Sequence, residues 1–157
     1  LCDRRQRQMC IRDSPESDPF FQEHETWFKA YMDYCTITDT DSVQYAMEQN
    51  AWTDDRGLRR MADDYLVAMG TGWLESGCGE RFAVTLENGS EFTVRGGDIK
   101  ADQHTDKTHR YRSCESVANV LEFIVDTGML SGEARNAGTV SVYPELSGNI
   151  TAIVPAE

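Results

Sequence analysis

Along the chain the spacing of hydrophobic positions passes from helical to alternating and partly back, which predicts a helical N-terminal half followed by a β-β-α-β-β unit. Phe20, His24, Trp27, Phe28, Tyr31 and Cys35 recur at helical spacing, and Ser17-Asp18-Pro19 supplies a cap and a first-turn proline. A helix is therefore expected over about 18–34, and its aromatic stripe reads as core. A short helix over 42–49, opening at Ser42, carries Val43, Ala46 and Met47. Thr53 or Asp54 would cap a third helix over 54–75. Leu58, Met61, Ala62, Tyr65, Leu66 and Met69 lie on its apolar face, and Asp54, Asp55, Asp63 and Asp64 make the other face acidic. A fourth helix is expected over 113–127, capped by Ser113, with Val117, Val120, Leu121, Ile124 and Val125 facing the core and Gly128 ending it.

The β signal is strongest between Arg81 and Arg95. Two runs of β-branched and aromatic residues, about 81–87 and 90–95, meet at Asn88-Gly89. A two-residue turn would divide the apolar residues between the faces of the hairpin. A three-residue loop, Glu87-Asn88-Gly89, with Gly89 left-handed, sets Phe82 opposite Val94 and Val84 opposite Phe92, so that one face is apolar. The second register is expected. Gly96-Gly97-Asp98 is read as the end of that strand, and the polar stretch to Arg112 as a long loop crossing the end of the sheet. Further strands over 139–143 and 150–154, bounded by Pro144 and Pro155, complete a small antiparallel sheet that the fourth helix would cover. The fold class expected is α+β, with residues 15–157 as one domain.

The first residues change the composition. Arg4 to Ser14 matches one translated frame of a transposase-type sequencing adapter, so residues 1–14 are set aside as a scar and the natural start is expected to lie elsewhere. The whole chain has a formal net charge of −12; residues 1–14 hold four arginines and two aspartates, and removing them leaves 11 basic and 25 acidic residues, a net charge of −14 over 143 residues. Binding to phosphate backbones or anionic membranes needs the opposite balance, so no direct nucleic-acid or membrane partner is expected. No apolar run reaches the roughly 18 residues a membrane helix needs. Cys35, Cys78 and Cys114 are odd in number and widely spaced, which suits a reducing compartment such as the cytoplasm and offers no zinc ribbon.

Candidate chemistry gathers between Asp102 and Cys114. Asp102, His104, Asp106, His109 and Cys114 are metal-capable, and Cys114 in the first turn of a helix beside Arg110, Arg112 and His109 would favour a thiolate. The bland reading of the same residues is a solvated loop and a half-buried cysteine, and their spacing matches no common ligand pattern. Gly70-Thr71-Gly72 and Gly96-Gly97 lack the lysine and hydroxyl of a phosphate loop, and Ser113-Cys114-Glu115-Ser116 lacks the glycines of a nucleophile elbow. No residue is assigned a catalytic, cofactor-binding or metal-ligating role. The function expected is a non-enzymatic acidic accessory or interaction domain with another protein as partner, similar in general type to accessory proteins of phages and mobile elements. Two alternatives stand beside it: an acidic nucleic-acid mimic that blocks a DNA-binding protein, and a metal- or thiol-dependent enzyme built on the 102–114 loop.

Overall fold

The computed structural model describes residues 19–157, so the adapter-like segment and the Ser17-Asp18 cap lie outside the described residues. The helical N-terminal half is not there. Among the described residues three short helices, α1 (Pro19–Glu23), α2 (Val43–Gln49) and α3 (Gly132–Ala137), accompany ten strands. These strands are β1 (Ala30–Asp33), β2 (Trp52–Thr53), β3 (Arg59–Met61), β4 (Asp64–Gly70), β5 (Arg81–Leu86), β6 (Glu91–Lys100), β7 (Arg112–Cys114), β8 (Val117–Asn119), β9 (Glu122–Val125) and β10 (Ile150–Pro155). Eight of them form one mixed sheet, ordered β1-β9-β4-β6-β5-β10, with β3 joined to β4 and β2 to β3; β7 and β8 form a separate hairpin.

The expected third helix is overturned by turn chemistry at one end and burial at the other. Asp54 caps no helix: its Oδ1 accepts from the amides of Arg56 and Leu58, and Gly57 sits at φ 90°. That turn folds β2 back on β3, pairing Trp52 with Arg60 and Thr53 with Arg59. Every residue of β4 is buried. Asp64-Tyr65-Leu66-Val67-Ala68-Met69-Gly70 is thus a central strand covered on both faces, where a continuous apolar run carries no alternation to set it apart from a helix. It runs parallel to β6 on one side, and antiparallel to β3 and β9 on the other.

The helix expected over 18–34 stops at Glu23; the chain then extends, and Ala30–Asp33 pair in parallel with Glu122–Val125. The fourth helix, expected over 113–127, is also replaced by strands. Arg112–Cys114 and Val117–Asn119 pair across a turn with Glu115 at φ 57°, and β9 buries Phe123 and Ile124 in two different apolar clusters. Residues 139–143, expected as a strand, form a 3-10 turn over Val140–Val142 because the Thr139 hydroxyl accepts from the Ser141 amide. The strand does not stop at Gly96-Gly97. It runs on to Lys100, and a bulge at Gly97 admits Ile124 Cδ1, which would lie 2.9 Å from a Cβ there.

The hairpin has the one-faced register. Phe82 opposes Val94 and Val84 opposes Phe92, the Leu86 amide donates to the Ser90 carbonyl, and Gly89 lies at φ 85°. With no fourth helix, this face is covered by Leu130, Ala134 of α3, and Val140, Tyr143 and Leu146 from the turns that follow. The opposite face packs Leu66 and Ile124 against Met47 of α2, which starts at Ser42 with its side chain accepting from the Tyr45 amide.

Residues 25–30 bridge the two ends of the sheet. Just ahead of β1, the Thr26 hydroxyl donates to the Ile150 carbonyl and accepts from the Ile150 amide at the start of β10, at the far edge. Lys29 is buried in this seam (0% exposed), its Nζ donating to the Gly148 carbonyl at 2.7 Å, the Trp27 carbonyl at 3.0 Å and Ser141 Oγ at 3.5 Å. Asp64, buried at the start of β4, is held by Arg81 Nε at 2.7 Å and Arg95 Nη2 at 2.8 Å. Burial pushes its carboxyl upward, but the hydrogen bonds and charges of the two arginines prevail and hold it below the usual range.

Two outcomes follow from these buried charges. Burial lowers Lys29 from 10.5 to about 8 against the opposing charge of Glu87. Between those pH values the unfolded chain keeps a proton that the fold releases, so stability rises with pH by up to about 3 kcal/mol relative to a Lys29→Met variant. Denaturant titrations from pH 8 to 10.5 should show that widening gap, and a constant difference would contradict it. Asp64→Asn should cost about 2–3 kcal/mol at pH 7, since it leaves two guanidinium groups short of a charged acceptor; the same titration reads this loss.

Candidate functional site

The loop on which the sequence concentrates its candidate groups is closely bonded to itself. Asp106 is its hub: Oδ2 accepts from the Thr108 amide and hydroxyl, and Oδ1 from the amides of Arg110 and Tyr111. Its carboxyl is pushed up by burial, but these donors outweigh that effect and hold it low. Asp102 opens a 3-10 turn (Asp102–His104) and accepts from Thr71 Oγ1 at 2.7 Å. His109, at φ 55°, places Nδ1 3.1 Å from Thr105 Oγ1 and 3.6 Å from Asp102 Oδ1. His104 is exposed and lines a shallow cavity of about 290 Å³ with Gln103, Thr105, Asp106, Arg112 and Ser113.

Among the described residues, no three His, Cys, Asp or Glu side chains come together to hold a metal ion. Cys114 ends a strand, so the helix N-terminus expected to favour its thiolate is missing. Cys35 and Cys78 are free, and burial pushes the Cys78 thiol up to about 11, further raised by Asp98, which opposes nucleophilic behaviour at neutral pH.

Gly70 and Gly72 seat the loop on the end of β4. The Gly72 amide donates to the His109 carbonyl, and a Cβ on Gly70 would fall 1.9 Å from that oxygen. Trp73 Nε1 donates to the Arg110 carbonyl, and the Arg110 guanidinium lies 5.0 Å from the Trp73 ring centre. The Gly-Thr-Gly run, no phosphate loop, is a docking face for another segment's backbone.

A second cluster has no periodic signal in the sequence. Trp52 is 48% exposed on β2, its Nε1 donating to the Ala62 carbonyl. The Arg60 guanidinium lies 4.0 Å from the Tyr65 ring centre and 5.8 Å from that of Trp52, with Nη2 on the Asp63 carbonyl and Nη1 3.4 Å from Asp54 Oδ2. Arg56 reaches across to Glu145 and stands 5.8 Å from the Tyr143 ring centre. Burial and the Asp54 and Glu145 charges push the Tyr65 phenol up against the opposing arginines, keeping it neutral. The signal available in sequence was the Asx-and-glycine turn at Asp54 to Gly57, which folds the tryptophan onto the arginines.

Gly70→Ala should dislodge the loop, costing about 2 kcal/mol or more and raising hydrogen-exchange rates over residues 102–111 while β5 and β6 stay protected. Equal exchange in both proteins would refute the seating. No protein-family model matches the chain, and no curated protein or solved structure matches it either.

Proposed function

We propose that the protein is a non-enzymatic interaction domain that docks another protein through the surface made by Trp52, Arg60 and Arg56. The observation that carries this reading is the half-exposed indole held over a rigid arginine–tyrosine base. Trp, Tyr and Arg are the residues in which interface energy concentrates, because a large ring or planar cation is desolvated there with little rotamer entropy to lose. Arg60 is held by Asp54 and the Asp63 carbonyl, so the base is already ordered before a partner arrives. Arg56 and Glu145 are exposed enough that their pair is worth only about 0–1 kcal/mol and can be re-formed with a partner's groups.

The partner would present an apolar socket for the indole with polar groups at its rim. The charge balance speaks against nucleic acid in that role. The mimic reading draws less support, since Glu48, Asp54, Asp64 and Glu145 are spent on arginines. Among the described residues no helix is long and apolar enough to cross a membrane. The free thiols of Cys35 and Cys78 support a cytoplasmic location within this proposal.

Trp52→Ala should weaken binding to a purified partner at least tenfold, the equivalent of about 1.4 kcal/mol, while the unfolding midpoint moves little because the ring is half exposed. Comparative affinity capture with the wild type and the variant, followed by titration of the differing protein in pure form, makes the test. Capture profiles and affinities that are identical for the two proteins would sink the proposal.

A further inference from the structure

The distribution of positive charge singles out a second place on the molecule. Among the described residues, Arg56, Arg59, Arg60, Arg81 and Arg95 each face a carboxylate, and Lys29 is sealed in the sheet seam. Of the five cations left, Lys100, Lys107, Arg110 and Arg112 fall within thirteen residues, and none makes an ion pair among the described residues. Lys100 and Arg112 meet at one strand position: Arg112 is the pairing partner of Asn119, whose carbonyl accepts from Lys100 Nζ at 3.2 Å. Two cations held close together, with only Glu122 offsetting the lysine, make a local positive field on a chain whose formal charge is −12.

The shallow cavity of about 290 Å³ opens beside them. Four of its lining side chains, Gln103, His104, Arg112 and Ser113, make no hydrogen bond among the described residues, so an amide, an imidazole, a guanidinium and a hydroxyl are uncommitted there. Asp106 also lines the cavity and opposes an anion, but its two oxygens already accept four hydrogen bonds from the loop. We infer that this cavity binds a small oxyanion of the phosphate class, with Arg112 as the forked donor and His104, Ser113 and Gln103 closing around it. A planar guanidinium matches two oxygens of such a group at once, and hydroxyl and imidazole donors suit the others. The volume accommodates one phosphate group with a small substituent.

The site stands apart from the Trp52 surface and does not depend on it. Inorganic phosphate titrated into the ¹⁵N-labelled full chain at low ionic strength should give saturable amide shifts confined to residues 101–114. Arg112→Ala should raise the dissociation constant at least tenfold, whereas Arg135→Ala and Trp52→Ala should leave it unchanged. Both arginines are exposed, so their variants keep the fold, and unaltered shifts elsewhere in the spectrum confirm it. Linear shifts without saturation, indifference to Arg112→Ala, or equal saturation of the same amides by acetate would each overturn the assignment.

Discussion

Covering both faces of β4 is the demand that shapes the rest of the molecule. A strand buried along its whole length needs an apolar layer on each side, and two are supplied: the large cluster under α3 and its turns, and the smaller one under α2. Its neighbours must come close as well, so β6 presents Gly96 to Leu74 on one face and Gly97 to Ile124 on the other. Even the ends of the strand are spoken for. Asp64 at its start draws in Arg81 and Arg95 from β5 and β6, and Gly70 at its end accepts the His109 backbone. Packing and electrostatics thus act on the same seven residues, and a change in β4 reaches the core, the hairpin and the polar loop together.

An acidic chain has few cations to spend, and among the described residues five of the eight arginines are spent on the protein's own carboxylates. The Arg59 guanidinium joins α2 to β3 through Glu48, whose carboxyl burial drives upward while the arginine draws it back. Glu48 Oε1 lacks any hydrogen-bond partner among the described residues, so the pair is only partly compensated and fixes the position of α2 more than it stabilises it. Because the paired arginines sit around β3, β4 and β5, the uncompensated positive charge is left at the opposite end of β6.

What could be read from the chain follows where its signals were single-valued. Asn88-Gly89 with strict alternation on both sides admitted one register with an apolar face, and Ser42 capped the helix that follows it. The stretch from Asp54 to Met69 carried two meanings, since an unbroken apolar run in a buried strand also satisfies helical spacing; Gly57 and the side-chain bonds of Asp54 decide for strands, and only the tertiary cover makes that visible. Val117, Val120, Leu121 and Ile124 repeat at helical intervals by coincidence: Val120 and Leu121 share one apolar cluster with Phe123, while Ile124 is buried in the other. At the candidate sites, composition located the polar loop but not its internal bonding. The Trp52 cluster joins Arg56, Arg60, Tyr65 and Tyr143 from separate elements, a convergence that no local pattern encodes.

The bond between Thr26 and Ile150 spans 124 positions of the chain. During synthesis the residues around Thr26 leave the ribosome long before their partner exists, and β1 has no neighbour until β9 is made. The sheet cannot be closed by stepwise growth from the N-terminus. Among the described strands β1 waits for β9, and its seam with β10 closes later still, so an aromatic-rich segment, Trp27 to Tyr34, must be kept from other chains until then.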